Sequence, residues 1–316
     1  MGSQKGRFII MTGQPLVSII LPTFNGARYL EKAVDSCLMQ TYQKWELIIV
    51  DDASTDNTPR LISGFTAMDN RIKAIRHELN RKLPSALNTG FSHAAGSYLT
   101  WTSDDNCYRP EAIAEMLTFL ESDFNTDLVY CDYTLIDEED KEIEKIRVGE
   151  PEILWKRNCI GPCFLYRRTV QERLGGYVEG LVLAEDYDFW LRASVLCKLS
   201  PLHKDLYLYR VHKKSLTQQE QREKIFLATE KVLRQNIRNT ANLSPESKSM
   251  GYLGLACICN ELGRRQGALK DFYKALRTSR GFVINHVLNY ERKLLTDIIL
   301  GKKFSDFLHG WYMKIK

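Results

Sequence analysis

Two adjacent carboxylates, Asp104 and Asp105, end the β-like run Ser97-Tyr98-Leu99-Thr100-Trp101-Thr102. A strand that stops this way delivers them to the carboxyl edge of a sheet, where open α/β sheets bind ligands. Hard oxygen donors suit Mg²⁺ or Mn²⁺, ions that take one or two protein carboxylates and leave the other positions to substrate phosphates. The alternative is a plain turn, because Asp and Asn favour turns wherever they stand. A second acidic pair, Asp51-Asp52, ends the run Trp45-Glu46-Leu47-Ile48-Ile49-Val50, and Phe24 follows the apolar stretch Leu16 to Leu21. Acids gathered at one edge repel unless a cation or a donor-rich ligand sits among them. A nucleoside diphosphate with its metal meets that need. The ring of Phe24 offers a stacking face for a base, and Asp52 an acceptor for an imide N–H, which uracil and thymine carry at N3; guanine N1–H would also serve. For Asp52 the structural alternative is capping of the Ser54-Thr55-Asp56 turn.

The elements that must position these groups follow a βαβ pattern. Leu16 to Leu21 is an almost unbroken apolar strand of the kind buried in parallel sheets, closed by Pro22. Leu30, Ala33, Val34, Cys37 and Leu38 have helical spacing within Ala27 to Gln40, and Trp45 to Val50 is the next strand, joined by a right-handed crossover. A helix near Thr58 to Ala67, a strand over Ile72 to His77 and a helix opened by Pro84 and running to Ala95 complete this half. Further on, a helix over Glu111 to Glu121 leads to a strand at Asp127 to Tyr133. Asp137-Glu138-Glu139-Asp140 reads as a solvated hairpin tip, with Ile143 to Val148 returning. Asp186, in Ala184-Glu185-Asp186-Tyr187-Asp188-Phe189-Trp190, lies near the first turn of a helix, where an acid is favoured as a cap. A lone histidine such as His212 is ordinarily a surface residue.

Val17-Ser18-Ile19-Ile20-Leu21-Pro22-Thr23-Phe24-Asn25, Ile49-Val50-Asp51-Asp52-Ala53-Ser54-Thr55-Asp56 and Ser103-Asp104-Asp105 together resemble the nucleotide-sugar half of the family 2 glycosyltransferases, and the likeness continues from about Val17 to Thr217. The resemblance implies an α/β fold of GT-A type, with a Rossmann-like, mostly parallel central sheet flanked by helices. It implies a donor site at Pro22, Thr23, Phe24, Asn25, Asp52, Arg81, Lys82, Asp104 and Glu185, and Mn²⁺ or Mg²⁺ held through Asp105 and His212. Asp186 matches the aspartate that serves as catalytic base. Helix amides would aim that carboxylate but lower its basicity, so its strength must come partly from desolvation. Lys82 departs from the family, many members of which have glycine there. Arg210, Lys213 and Lys214 either neutralise phosphate or are solvated.

The expected organisation is a tail over 1–14, in which Phe8 to Met11 is apolar and Met11 is a second candidate start. A catalytic domain follows over 15–216, its nucleotide half over 15–106 and acceptor half over 107–216, and then a helical region over 217–316. Within the last, Ala256, Gly263, Ala268, Phe272 and Ala275 resemble one tetratricopeptide-type helix pair, which cannot stack alone. Phe304, Phe307, Leu308, Trp311 and Tyr312 with Lys302, Lys303, Lys314 and Lys316 form a basic aromatic end suited to an anionic membrane or to docking on the body. The net charge is +5 and no basic tract is interleaved with aromatics, so nucleic acid is not an expected partner. Eight cysteines without paired zinc spacing fit free thiols in a reducing compartment. No apolar run spans a bilayer and no leader pattern is present, so a cytoplasmic protein, peripheral at most to a membrane, is expected.

The chemistry these expectations describe is inverting transfer of a sugar from a nucleotide donor, UDP-linked by preference, to a saccharide or lipid-linked acceptor. A second copy of the chain is a further candidate partner. The rival expectations are a catalytically lapsed nucleotide-sugar-binding scaffold and a nucleotide-sugar hydrolase. A dehydrogenase is disfavoured, since no Gly-x-Gly-x-x-Gly follows the first strand.

Overall fold

In a computed structural model of the chain, residues 13–212 and 221–290 are described. The Phe8 to Met11 patch, Lys213, Lys214 and the basic aromatic end lie outside the described residues. The first half alternates strand and helix: β1 (Val17–Thr23), α1 (Leu30–Leu38), β2 (Trp45–Asp51), α2 (Thr58–Met68), β3 (Ile72–Arg76), α3 (Leu83–His93) and β4 (Tyr98–Trp101). Then come β5 (Cys107–Tyr108), α4 (Ala112–Ser122), β6 (Leu128–Ile136), β7 (Glu142–Ile146), β8 (Phe164–Arg167), α5 (Arg168–Leu174), α6 (Glu185–Leu196) and β9 (Leu199–Arg210). Four helices follow: α7 (Arg222–Asn239), α8 (Pro245–Glu261), α9 (Arg265–Thr278) and α10 (Arg280–Tyr290).

The strands form one sheet in the order β3-β2-β1-β4-β8-β6-β9-β5, with β7 beside β6. β1 to β4 run parallel, and every residue of β1 and β2 is buried, as expected when helices cover both faces. β8 joins antiparallel to β4 and β6, while β9 lies parallel to β6. The α/β class with a helical C-terminal region is the one expected from the sequence. Chain order reverses between β1 and β4, and at such a switch point the carboxyl ends of the strands open a crevice.

Pro22 does not close β1; the strand runs through it to Thr23. Ile20 O accepts from Thr102 N–H and Thr23 O from Asp52 N–H, so the backbone at Pro22 faces the β4 side, beyond the last β1–β4 pair at Ile20 and Trp101. A missing donor costs nothing where the ladder has ended.

The C-terminal helices share a core with the sheet. One cluster of buried side chains includes Ile20, Val50 and Leu99 of the sheet, Trp190 of α6, Val232 and Leu233 of α7, and Leu253 and Leu255 of α8. α8 crosses the Lys156 carbonyl so closely that a Cβ at Gly254 would overlap it. α8 and α9 form a helix hairpin in which Ala256, Ala268 and Ala275 are buried. Among the described residues no helix is long and apolar enough to cross a membrane.

Candidate active site

Hydrogen bonds between loops draw the carboxyl ends of β1, β2 and β4 together. Thr23 donates its hydroxyl to Asp104 Oδ2 at 2.5 Å, and its carbonyl accepts from Asp52 N–H at 2.9 Å. Asn25 donates its backbone N–H to Ser54 Oγ at 2.9 Å, and its side-chain oxygen accepts from Thr55 N–H at 2.8 Å. Phe24 stands between these anchors at the rim, 49% exposed. Gly26 lets the β1 loop pass beneath Asp104: a Cβ there would overlap Asp104 Oδ2 and lie 2.5 Å from Thr23 Oγ1.

Asp52 is buried and organises the third loop. Its Oδ1 accepts from Arg81 N–H at 2.8 Å and from His77 Nδ1 at 2.7 Å, and its Oδ2 accepts from Lys82 N–H at 2.8 Å. His77 Nε2 faces the Thr89 hydroxyl at 3.0 Å. A carboxylate oxygen accepts two hydrogen bonds, so one position remains on Oδ2. The cap of the Ser54 turn is not Asp52 but its neighbour: Asp51 Oδ1 accepts from Ser54 N–H at 2.9 Å, and Arg76 pairs with the other oxygen.

Asp104 and Asp105 differ in their surroundings. Burial, with the charge of Asp105 beside it, pushes the Asp104 carboxyl up to about 7, partly offset by the Thr23 hydroxyl and backbone N–H donors. Asp105 Oδ2 lies 2.9 Å from His212 Nε2, while its Oδ1 is buried with no hydrogen-bond partner. An orphaned carboxylate oxygen beside a ring nitrogen fits a divalent cation. Among the described residues no group of three or more His, Cys, Asp or Glu is gathered so as to hold a metal ion by itself.

Arg210 supports this pair from below. It is fully buried, donates from Nε to Asp105 O and from Nη1 to Asp137 O, both at 2.9 Å, and lies over the Tyr29 ring at 4.6 Å. Its Nη2 is 2.6 Å from Asp140 Oδ1 but off the hydrogen-bonding direction, so this contact is an ion pair without a directed bond. Arg210 is therefore neither solvated nor open to phosphate. The acidic hairpin tip is exposed at Glu139 and Asp140, as expected, but its acids are also paired: Arg28 with Glu138, and Lys32 and Arg210 with Asp140. The sequence pattern missed this because the three cations come from distant segments.

Glu185 and Asp186 open α6. Glu185 is 6% exposed and its Oε2 has no hydrogen-bond partner. Burial, and then the charge of Asp186, raises its pKa to about 8, against backbone donors of the Leu183 to Glu185 turn. Asp186 accepts from Tyr187 N–H at 2.6 Å and from the Asn158 amide at 3.0 Å, yet burial outweighs these donors and its pKa too is raised. Two neighbouring acids in a desolvated site share a proton, and Glu185, whose Oε2 has no partner, is the better place for it than Asp186, which has both a backbone and an amide donor. Glu185 is thus the neutral acid and Asp186 the carboxylate. The segment before them is tied to the crevice: Trp101 Nε1 donates to Tyr177 Oη at 2.9 Å, Asn88 holds the Tyr177 backbone at 2.8 and 2.9 Å, and Arg81 approaches Glu179 at 3.8 Å.

Four of the five described non-glycine residues with positive φ flank these groups: Asn25, Ala53, Lys82 and Leu183. Such backbones cost about 1–3 kcal/mol each and gather at functional sites. Thr23, Phe24, Asn25, Asp52, Arg81, Lys82, Asp104, Asp105 and His212 are thus brought together, with Pro22 buried beneath and Glu185-Asp186 linked through the Tyr177 segment. Gly26, His77 and Asn158 were not singled out from the sequence. The Asn25-Gly26 turn dipeptide is a signal for the first, and His77 ends a strand as Asp52 does, whereas nothing local marks Asn158.

The sequence matches the family described as Glycosyl transferase family 2 over residues 18–180, just over half of the chain. An uncharacterized glycosyltransferase of Rickettsia prowazekii is 32% identical over 63% of this chain and 64% of its own length, so the match spans just under two thirds of that relative. The crystal structure of S. aureus TarS 1-349 in complex with UDP-GlcNAc superposes with a TM-score of 0.66 at 18% identity, over 93% of this chain and 91% of that one. The mannosyltransferase PcManGT of Pyrobaculum calidifontis, in complex with GDP-Man and Mn²⁺, gives 0.64 at 21% identity over 93% and 84%. At these identities the likeness shows a shared fold.

Proposed function

The chain belongs to glycosyl transferase family 2, and from that premise we propose that it moves a sugar from a nucleotide-sugar donor, UDP-linked by preference, to a hydroxyl of a saccharide or lipid-linked glycan, inverting the anomeric centre on a GT-A type fold. The observation that carries this is the Asp105 Oδ1 left without a partner beside His212, in the crevice where the loops of Thr23, Asp52 and Lys82 meet. The complexes of TarS with UDP-GlcNAc and of PcManGT with GDP-Man and Mn²⁺ support a nucleotide sugar and a divalent ion on this fold.

Each residue then has a task. Phe24 stacks on the base, and the remaining position on Asp52 Oδ2 accepts the imide N–H. Asp105 and His212 would hold Mn²⁺ or Mg²⁺, which when bound supplies charge stabilisation for the departing diphosphate. Asp186, held in direction by Tyr187 N–H and Asn158, takes the proton of the acceptor hydroxyl as that oxygen forms its bond to the anomeric carbon. The carbon–oxygen bond to the diphosphate breaks in the same displacement. Glu185, kept neutral, spares Asp186 a like charge and leaves it ionised.

Substitution of Asp186 by Asn tests the assignment. Transfer should fall by about 10²–10⁴-fold while Mn²⁺-dependent nucleotide binding stays within twofold. Equal loss of both would sink the role given to Asp186. A thermal-shift series of UDP, GDP and dTDP sugars with and without Mn²⁺ identifies the base, since a ligand that binds the folded chain raises its apparent stability. Release of free sugar without acceptor dependence would instead indicate hydrolysis.

A further inference from the structure

Lys82 stands on a backbone with φ 73° and ψ 166°, a region that only glycine enters without strain. Nothing in the loop requires a side chain there, because the contact that holds it is the Lys82 N–H donating to Asp52 Oδ2 at 2.8 Å, which glycine would supply equally. The lysine side chain is exposed, and among the described residues no ion pair engages its ammonium. Other cations around the crevice are already engaged: Arg28 with Glu138, Lys32 and Arg210 with Asp140, and Arg76 with Asp51. Arg81, next in sequence, approaches Glu179. The chain therefore keeps a strained residue whose charge has no partner among the described residues, at the edge of the crevice where the loops of Asp52 and Asp104 meet. Strain that persists at a site calls for a functional reason.

We propose that Lys82 binds an oxyanion of the nucleotide sugar and so helps to set which donor is accepted. This deepens the donor reading above and rests on it. The base imide and the Lys82 N–H would share Asp52 Oδ2, which places the Lys82 Cα beside the nucleoside. From there a flexible four-carbon stem carries a compact charge with three donors, suited to a diphosphate oxygen or to the carboxylate of an acidic sugar. These are two sources of one chemistry, and the experiment separates them.

Binding of uridine, UDP, UDP-glucose and UDP-glucuronic acid is measured by titration calorimetry with Mn²⁺ for the full chain and for Lys82→Met, Lys82→Gly and Lys82→Arg. If the partner is a phosphate, Met and Gly weaken UDP by about tenfold and uridine by less than twofold, while Arg retains most of the affinity. If it is a sugar carboxylate, only UDP-glucuronic acid loses about tenfold. Lys82→Gly relieves the backbone, so its Tm should be at or above that of the wild type, and its loss of affinity then cannot be ascribed to misfolding. Unchanged affinities in both Met and Gly, with a wild type that binds, overturn this inference alone. A wild type that binds none of UDP, GDP and dTDP overturns the donor reading and this inference with it.

Discussion

Gly26 carries no side chain, yet those of Thr23 and Asp104 meet over its bare Cα. Replacement by Ala would drive a methyl into Asp104 Oδ2 and against Thr23 Oγ1. The chain should lose about 1–3 kcal/mol in denaturant unfolding, and Mn²⁺-dependent nucleotide binding should weaken together with it. Glu185 makes a different kind of statement, about pH. Its pKa is raised from the ordinary 4.5 to about 8, so between these values the folded chain binds a proton that the unfolded chain has released. Stability must then fall as pH rises from about 4.5 to 8 and level off above. Glu185→Gln removes the titration while keeping the shape. Relative to that variant, the wild type should lose stability by of the order of 1 kcal/mol per pH unit across the window, as measured by chemical denaturation at several pH values. Parallel pH profiles for the two proteins would contradict a buried neutral Glu185.

At the scale of elements, the hairpin of β6 and β7 matters more than its acidic tip suggests. Arg210, at the end of β9, ties the tip to the turn that presents Asp105, and Tyr29 of the α1 entrance lies between Arg210 and His212. Removing a fully buried guanidinium leaves several acceptors without a donor. Arg210→Ala should therefore cost about 3–5 kcal/mol and weaken Mn²⁺-dependent donor binding. Asp140→Asn removes only a half-exposed partner, and its cost should stay below about 1 kcal/mol. If the two variants lost equal stability, the anchor would be the ion pair and not the backbone carbonyls. The sequence shows the strands, the turn and the charges of this hairpin. It does not show that Arg28, Lys32 and Arg210 fold onto the tip, because no local period connects residues so far apart.

For the whole molecule, the helices after β9 are part of the body that holds the site. Asn236 of α7 donates to Asp188 Oδ1 at 2.8 Å, one turn into the helix that begins with Glu185 and Asp186. Trp155 donates to Ser194 of α6 at 3.1 Å and also lies against Gly251 of α8. A cavity made in this shared core should be felt by both parts. Leu233→Ala, at a fully buried position, should cost about 2–5 kcal/mol. Tryptophan fluorescence and helical circular dichroism should still follow one coincident transition, whereas separate transitions would mean that the helices and the sheet unfold independently.

The sequence by itself did not determine β5, α5 or the long strand β9, but it determined the strands and helices of the first half through β4, the three acidic or aromatic strand ends at Phe24, Asp52 and Asp105, and the placing of Glu185 and Asp186 at a helix start. These follow from local periodicity and from the residues that can end a strand, and both act over a few neighbours. Tertiary structure alone decided which of Glu185 and Asp186 keeps the proton, which carboxylate caps the Ser54 turn, why β1 tolerates Pro22, and that Lys82 bears a glycine backbone. Each of those depends on desolvation or on a hydrogen bond supplied by a distant segment. Burial and partner geometry exist only once the chain has closed on itself.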